Sequence, residues 1–138
     1  MEQALKKLIK RLHSINLPDD VAKNIFKFGK PGYYYLWTVI DDPSLTDYQV
    51  INLLRALYQI KYHDIDLFVN RLLSFTLDTR IDVRSASFLA ICLFRIKNNF
   101  PEINIPLEQD ILINFLRQAI EMGLHPTIEE HIEEYMMM

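Results

Sequence analysis

The most unusual chemistry in the chain lies in the segment Phe26-x-Phe28-Gly29-Lys30-Pro31-Gly32-Tyr33-Tyr34-Tyr35-Leu36-Trp37. Three consecutive tyrosines on a helix cannot all face inward, because successive residues are about 100° apart. At least one ring is expected at the surface. An exposed Tyr beside a lysine in a Gly/Pro turn suits recognition, since Tyr and Trp offer large contact area at small entropic cost. Lys30, Tyr33, Tyr34, Tyr35 and Trp37 are therefore candidate partner-binding residues, with Arg84 in support. The competing reading packs Trp37 and two of the tyrosines in the core and lays the third flat on the surface.

Other residue groups suggest other chemistry, and each has a plainer explanation. Glu129, Glu130, His131, Glu133 and Glu134, with His125 just before them, are the only metal-type ligands at close spacing. A metal site inside a bundle needs a second helix that supplies inward carboxylates or His, and none does. No metal or cofactor is expected; the acidic tail reads as a solvated helix or a lure for a basic partner. Ser74, Ser85 and Ser87 fall within helices, without a glycine-framed turn to expose a nucleophile, and His13 and His63 have no recognisable orienting partner. Asp64 with Asp66, or Asp78 with Asp82, could form a carboxylate pair in a cleft, but Asp at helix starts is adequately explained by capping. Cys92, the only cysteine, lies in Ala90-Ile91-Cys92-Leu93-Phe94 and reads as a buried packing residue. Disulfides and cysteine-based zinc within one chain are excluded.

The chain has 138 residues and a net charge of −3, with 50% hydrophobic, 24% charged and 12% aromatic residues. That length and apolar content suit one globular domain over 1–138. Only 3 glycines are present, which disfavours hairpins and phosphate-cradling loops and favours an all-α chain. The longest uncharged apolar run, Gly32 to Ile40, is about half of the ~20 residues a membrane span needs, and no signal-peptide core opens the sequence. A soluble, cytoplasmic protein is expected. Charge is uneven: residues 1–30 carry +4, 31–120 carry −2 and 121–138 carry −5. Lys6, Lys10 and Arg11 could neutralise phosphates from one side of the first helix. A pI near 5.8 and the lack of an Arg-rich cluster favour a solvated outer face instead.

The periodicity predicts seven to eight helices to position these groups. Leu5, Leu8, Ile9 and Leu12 mark an amphipathic helix over 2–15. Pro18, Asp19 and Asp20 open a second, ending near Gly29. A short third covers Gly32 to Ile40; its aromatic content permits a strand, but a lone strand would have no partner. Thr46-x-x-Gln49 has the form of a capping box before a helix reaching about Lys61. A fifth helix runs from about Asp64 to Leu77 with Ile65, Phe68, Leu72 and Phe75 on one face, and a sixth, apolar nearly all round from Phe88 to Phe94, begins near Asp82. Asn98 to Pro106 reads as an extended connection. A seventh helix over Leu107 to Met122 should bury Ile111, Phe115 and Ile120 and be capped by Gly123. A short acidic helix from Pro126 should place Ile128, Ile132 and Tyr135 on one side.

Asp42-Pro43 with Arg55-Ala56-Leu57, and Asp78-Thr79 with Leu89-Ala90-Ile91, recur roughly 34–36 residues apart, within the period of helical solenoids. The stretch Leu77-Asp78-Thr79-Arg80-Ile81-Asp82-Val83-Arg84-Ser85-Ala86, followed by Ala90-Ile91, resembles a HEAT or HEAT-like repeat, with an Asp after the first helix and Val-Arg-x-Ala on the second. Ala86 and Ala90, one turn apart, would let neighbouring helices approach closely, and Arg84 can reach interhelical carbonyls or the Asp of a neighbouring turn. The copy from Asp41 to Tyr58 is looser, with Gln49-Val50 where Val-Arg would fall.

The resemblance implies an α-α superhelix of about three stacked hairpins and a scaffold that binds protein or peptide along its second helices. The expected function is a non-enzymatic protein-binding module, as a monomer or weak homodimer, without membrane or nucleic-acid partners. Alternatives are an immunity protein against a basic toxin, or a nucleic-acid-processing HEAT-like enzyme with a basic concave cleft.

Overall fold

The computed structural model describes residues 3–4, 6–7, 10, 19–98 and 109–137. Among them all regular structure is helical, so the protein is all-α. The helices are α1 (Asp19–Phe26), α2 (Gly29–Val39), α3 (Asp47–Gln59), α4 (Ile65–Phe75), α5 (Ile81–Asn98), α6 (Gln109–Met122), α7 (Pro126–Glu129) and α8 (Ile132–Met137), with a 3-10 turn at Lys61–His63. The first expected helix and the expected connection at Asn98 to Pro106 fall largely outside the described residues; Asn98 itself ends α5. No described helix is long and apolar enough to cross a membrane.

The chain divides into two compact units, Met1–Ile65 and Asp66–Met138. In the first, α1 packs on α2 and α3, and the 3-10 turn packs on both α2 and α3. Its core is built from Ile25, Leu36, Ile40, Val50, Leu53 and Leu57. Each large apolar side chain so buried contributes about 1.5–3 kcal/mol.

The α1–α2 junction departs from the expected boundaries. Helix α1 stops at Phe26, Phe28 N–H donates to the Ile25 carbonyl at 3.0 Å, and α2 begins at Gly29 rather than at Gly32. Gly29 has φ +66°, a conformation that favours glycine, and it turns the chain between the two helices. Gly32 makes the close approach possible, since a Cβ there would lie 2.7 Å from Phe28 Cβ. Helix α3 starts with the full capping box: Gln49 N–H donates to Thr46 Oγ1 at 3.2 Å, and Thr46 N–H donates to Gln49 Oε1 at 2.9 Å.

In the second unit Phe68, Leu72 and Phe75 are buried along α4 as expected, and the Phe68 ring meets Phe94 of α5 edge-on at 5.9 Å. Phe88, Ile91, Cys92 and Phe94 are buried on α5, whereas Leu93 remains exposed. Helix α6 corrects the expected face. Ile111 is exposed and Phe115 and Ile120 are half-buried, while Leu112, Leu116 and Ala119 form the buried row. The expected set is not one row: 111 and 115 share a face, but 120 lies five residues past 115 on another side of the helix, whereas 112, 116 and 119 follow at spacings of four and three. Leu124 is buried just beyond the row, past Gly123, whose φ of +99° and N–H bonds to the Ala119 and Ile120 carbonyls close the helix.

The acidic tail forms two short helices rather than one. His125 caps the first, its Nδ1 accepting from Thr127 N–H at 3.2 Å, and Glu129 turns back to accept from Leu124 N–H at 3.0 Å. A turn at Glu130 and His131 then re-aims the chain, and Tyr135 on α8 meets the Phe88 ring at 6.4 Å.

Candidate functional site

The tyrosine run of α2 resolves into three environments. Tyr33 is fully buried, Tyr35 is half-buried and Tyr34 is 41% exposed. Trp37, one turn after Tyr33, is buried, and Lys30, one turn before Tyr34, is exposed. Tyr33 and Trp37 are therefore core residues and offer no contact area to a partner. Of the candidate residues in this segment, Lys30 and Tyr34 lie at the surface, with Tyr35 half-covered.

The buried and exposed rings form one array. Trp37 meets Tyr33 at 90° with centroids 6.2 Å apart, Tyr33 meets His63 at 6.0 Å, and His63 lies against Phe26 at 4.6 Å. Phe26 is 50% exposed, so the array runs from the core to the surface. Tyr34 stands edge-on to Tyr33 at 5.7 Å.

Asp64, at the end of the 3-10 turn, fixes the array twice. Tyr33 OH donates to the Asp64 main-chain carbonyl at 2.9 Å, and Tyr34 OH donates to Asp64 Oδ2 at 2.7 Å. Burial pushes the Tyr33 hydroxyl well above its ordinary pKa, so it remains a donor. The hydrogen bond to Asp64 raises that of Tyr34. Beside the array, Lys23, Phe26, Gln59 and Ile60 line a shallow depression of about 150 Å³. Lys61 packs its ammonium over the rings of Tyr58 and Tyr62, at 4.1 and 4.5 Å, with Nζ donating to the Tyr58 carbonyl at 3.0 Å.

Arg84 belongs to the second unit and is buried. Its Nε donates to the Gly123 carbonyl at 2.7 Å, Nη1 to the Asp78 carbonyl at 2.7 Å and Nη2 to the Met122 carbonyl at 3.3 Å. It ties the end of α6 to the turn before α5, and its guanidinium is committed to that brace rather than to a partner surface. Asp78 takes Arg80 through Nε at 2.8 Å and Nη2 at 2.9 Å, which holds its carboxyl below the usual carboxylate range.

The residues weighed for hydrolysis are engaged or buried. Ser85 is buried and accepts from His125 N–H at 2.8 Å, Ser74 OH donates to the Asn70 carbonyl at 3.3 Å, and Ser87 is fully buried. His63 is held between Phe26 and Tyr33, and His13 lies outside the described residues. Burial pushes the Cys92 thiol up to about 12, which leaves it un-ionised at neutral pH. Among the described residues no three His, Cys, Asp or Glu side chains gather as metal ligands would; His131 Nδ1 and Glu134 stand 3.6 Å apart.

Phe26 and His63 are the members of the array that the tyrosine run did not reveal. Phe26 follows the buried Ile25 directly, and a large apolar residue in that position points away from the face that Ile25 buries. His63 lies more than thirty residues from Phe26, and only tertiary structure brings the two together. No known family, curated protein or solved structure matches the chain.

Proposed function

We propose that this protein is a non-enzymatic protein-binding module of HEAT-like type, working in the cytoplasm. Its recognition surface is the exposed end of the ring array, Phe26 and Tyr34 beside Lys30. The observation that carries this reading is that both exposed rings are already held in place, Phe26 by His63 and Tyr34 by the Asp64 carboxylate. Aromatic side chains fixed before binding lose little conformational freedom on contact, which is the property that makes them effective anchors. Support for the HEAT-like part comes from Arg84, which spans from the Asp78 turn to the α6 terminus as the resemblance implies. A cytoplasmic site accords with a lone buried cysteine.

The test is affinity capture with parent protein, Phe26→Ala, Tyr34→Ala and a control, Tyr48→Ala, whose ring is 60% exposed on α3 outside the array. A specific partner should be kept by the control and lost by both array variants. A partner set identical across all four proteins would remove the site.

A further inference from the structure

We propose that the partner segment recognised at this surface is an acidic peptide carrying one apolar or aromatic anchor, with the anchor seated against Phe26 and the acidic groups held by Lys23, Lys27 and Lys30. This rests on the protein-binding reading and adds the chemistry of the ligand. Between the acidic pairs Asp19-Asp20 and Asp41-Asp42, residues 21–40 contain those three lysines and no acidic residue. All three are exposed. Lys23 and Phe26 line the same depression, which places a cation beside a recess that an anchor side chain can enter next to the array. Lys27 follows Phe26 directly, and Lys30 stands one helical turn before Tyr34, on the same face of α2.

Asp64 orients the neighbouring ring, its Oδ2 accepting the Tyr34 hydroxyl at 2.7 Å. The depression is about 150 Å³, room for part of one side chain and too little for a large ligand, so contact with the flanking chain must supply the rest. A peptide is favoured over nucleic acid because the protein as a whole carries −3, and a long polyanion would meet that field, whereas a short acidic segment meets the local lysines.

The probe is a fluorescein-labelled synthetic peptide in which a Leu-Phe pair is flanked on both sides by Glu and Asp, read by fluorescence anisotropy at low and at physiological salt. It is compared with the same peptide bearing Ser-Ser at the centre, with its Lys-flanked counterpart, and with oligothymidylate. Saturable binding of the acidic anchored peptide is expected, weakening with salt and by about tenfold on loss of the anchor pair. Lys23→Glu/Lys27→Glu/Lys30→Glu should weaken it by at least about tenfold, as should Phe26→Ala, each with an unchanged far-ultraviolet spectrum. A milder Lys→Ser triple variant gives a second reading if charge reversal perturbs folding, and the peptide comparisons need no variant at all. The proposal is overturned if the acidic peptide does not saturate at low salt, if the Lys-flanked peptide binds equally well, or if the variants leave affinity unchanged. Tighter binding of oligothymidylate overturns it in favour of a single-stranded nucleic acid. Should the acidic peptide fail while captured partners still depend on Phe26 and Tyr34, the charge assignment falls and the protein-binding surface stands.

Discussion

Arg84→Met isolates what the buried guanidinium does for the second unit. The parent side chain donates to three main-chain carbonyls, two of them at 2.7 Å and one at 3.3 Å. A hydrogen bond from a charged donor contributes roughly 1.5–3 kcal/mol net, so the two short bonds account for about 3–6 kcal/mol and the long one adds little. Two of the three acceptors, the Met122 carbonyl that ends α6 and the Gly123 carbonyl just past it, lie at the negative end of the helix dipole, where a cation is favoured. Against this, the variant is spared the cost of burying a cation, several kcal/mol before compensation. The balance is a destabilisation of about 3 kcal/mol, a large share of the roughly 5–15 kcal/mol typical of a domain and worth roughly 10 °C in Tm. Arg84→Lys keeps the charge but replaces a planar fork with one point donor, and about half the loss should remain. Urea unfolding followed by far-ultraviolet circular dichroism measures all of this, with Arg117→Met, an exposed change on α6, as a control within about 0.5 kcal/mol of the parent. Arg84→Met unfolding within that same margin would refute the reasoning, and full rescue by lysine would show that charge alone, not the fork, is what the carbonyls require.

Asp78 sets a pH dependence: its folded carboxyl is held low by the Arg80 hydrogen bonds, so its contribution is complete above the ordinary carboxylate value of about 4 and is lost as pH falls through the lowered folded value. The stability difference between parent and Asp78→Asn should therefore be constant above about pH 5 and shrink below pH 4 in acid titrations of urea unfolding. Gly32→Ala should destabilise by about 1–3 kcal/mol despite the better helix propensity of Ala, because the new Cβ meets Phe28 Cβ at 2.7 Å; a thermal melt equal to or above the parent would contradict it. Cys92, 1% exposed with its thiol pushed up to about 12, should resist a thiol-specific reagent in the native protein and react stoichiometrically once urea unfolds it. Rapid native labelling would count against its burial.

Local chemistry made much of the fold legible in the sequence. Thr46 and Gln49 carry a complete capping box in four residues, and Gly123 closes α6 through a backbone conformation that few other residues adopt. The buried row of α6 was legible as well: 112, 116 and 119 follow at spacings of four and three, whereas the expected set 111, 115 and 120 puts 120 five residues past 115, on another side of the helix. The break at Glu130 and His131 was hidden, because Glu129 spends its carboxylate on Leu124 N–H, a choice that no spacing rule records.

For the site, geometry on a helix was enough to require that one of Tyr33, Tyr34 and Tyr35 be exposed, but not to say which. The answer depends on Asp64, thirty residues away, which draws both hydroxyls, and on His63, which carries the array outward to Phe26. Arg84 illustrates the opposite case. Its reach to interhelical carbonyls is implied by the repeat-like pattern around it, while its burial, which removes it from any partner surface, comes with its contacts at Asp78, Met122 and Gly123.

The chain has a single tryptophan, and it stands at the inner end of the ring array. Trp37 is 5% exposed and perpendicular to Tyr33, so its emission reports an apolar setting and the position of that one ring rather than an average over many sites. Tyr33, His63 and Phe26 then link the chromophore to the surface in three ring contacts. The protein thus contains an intrinsic fluorophore in ring contact with its candidate interface, which makes Trp37 emission a label-free signal to monitor when a proposed partner is added.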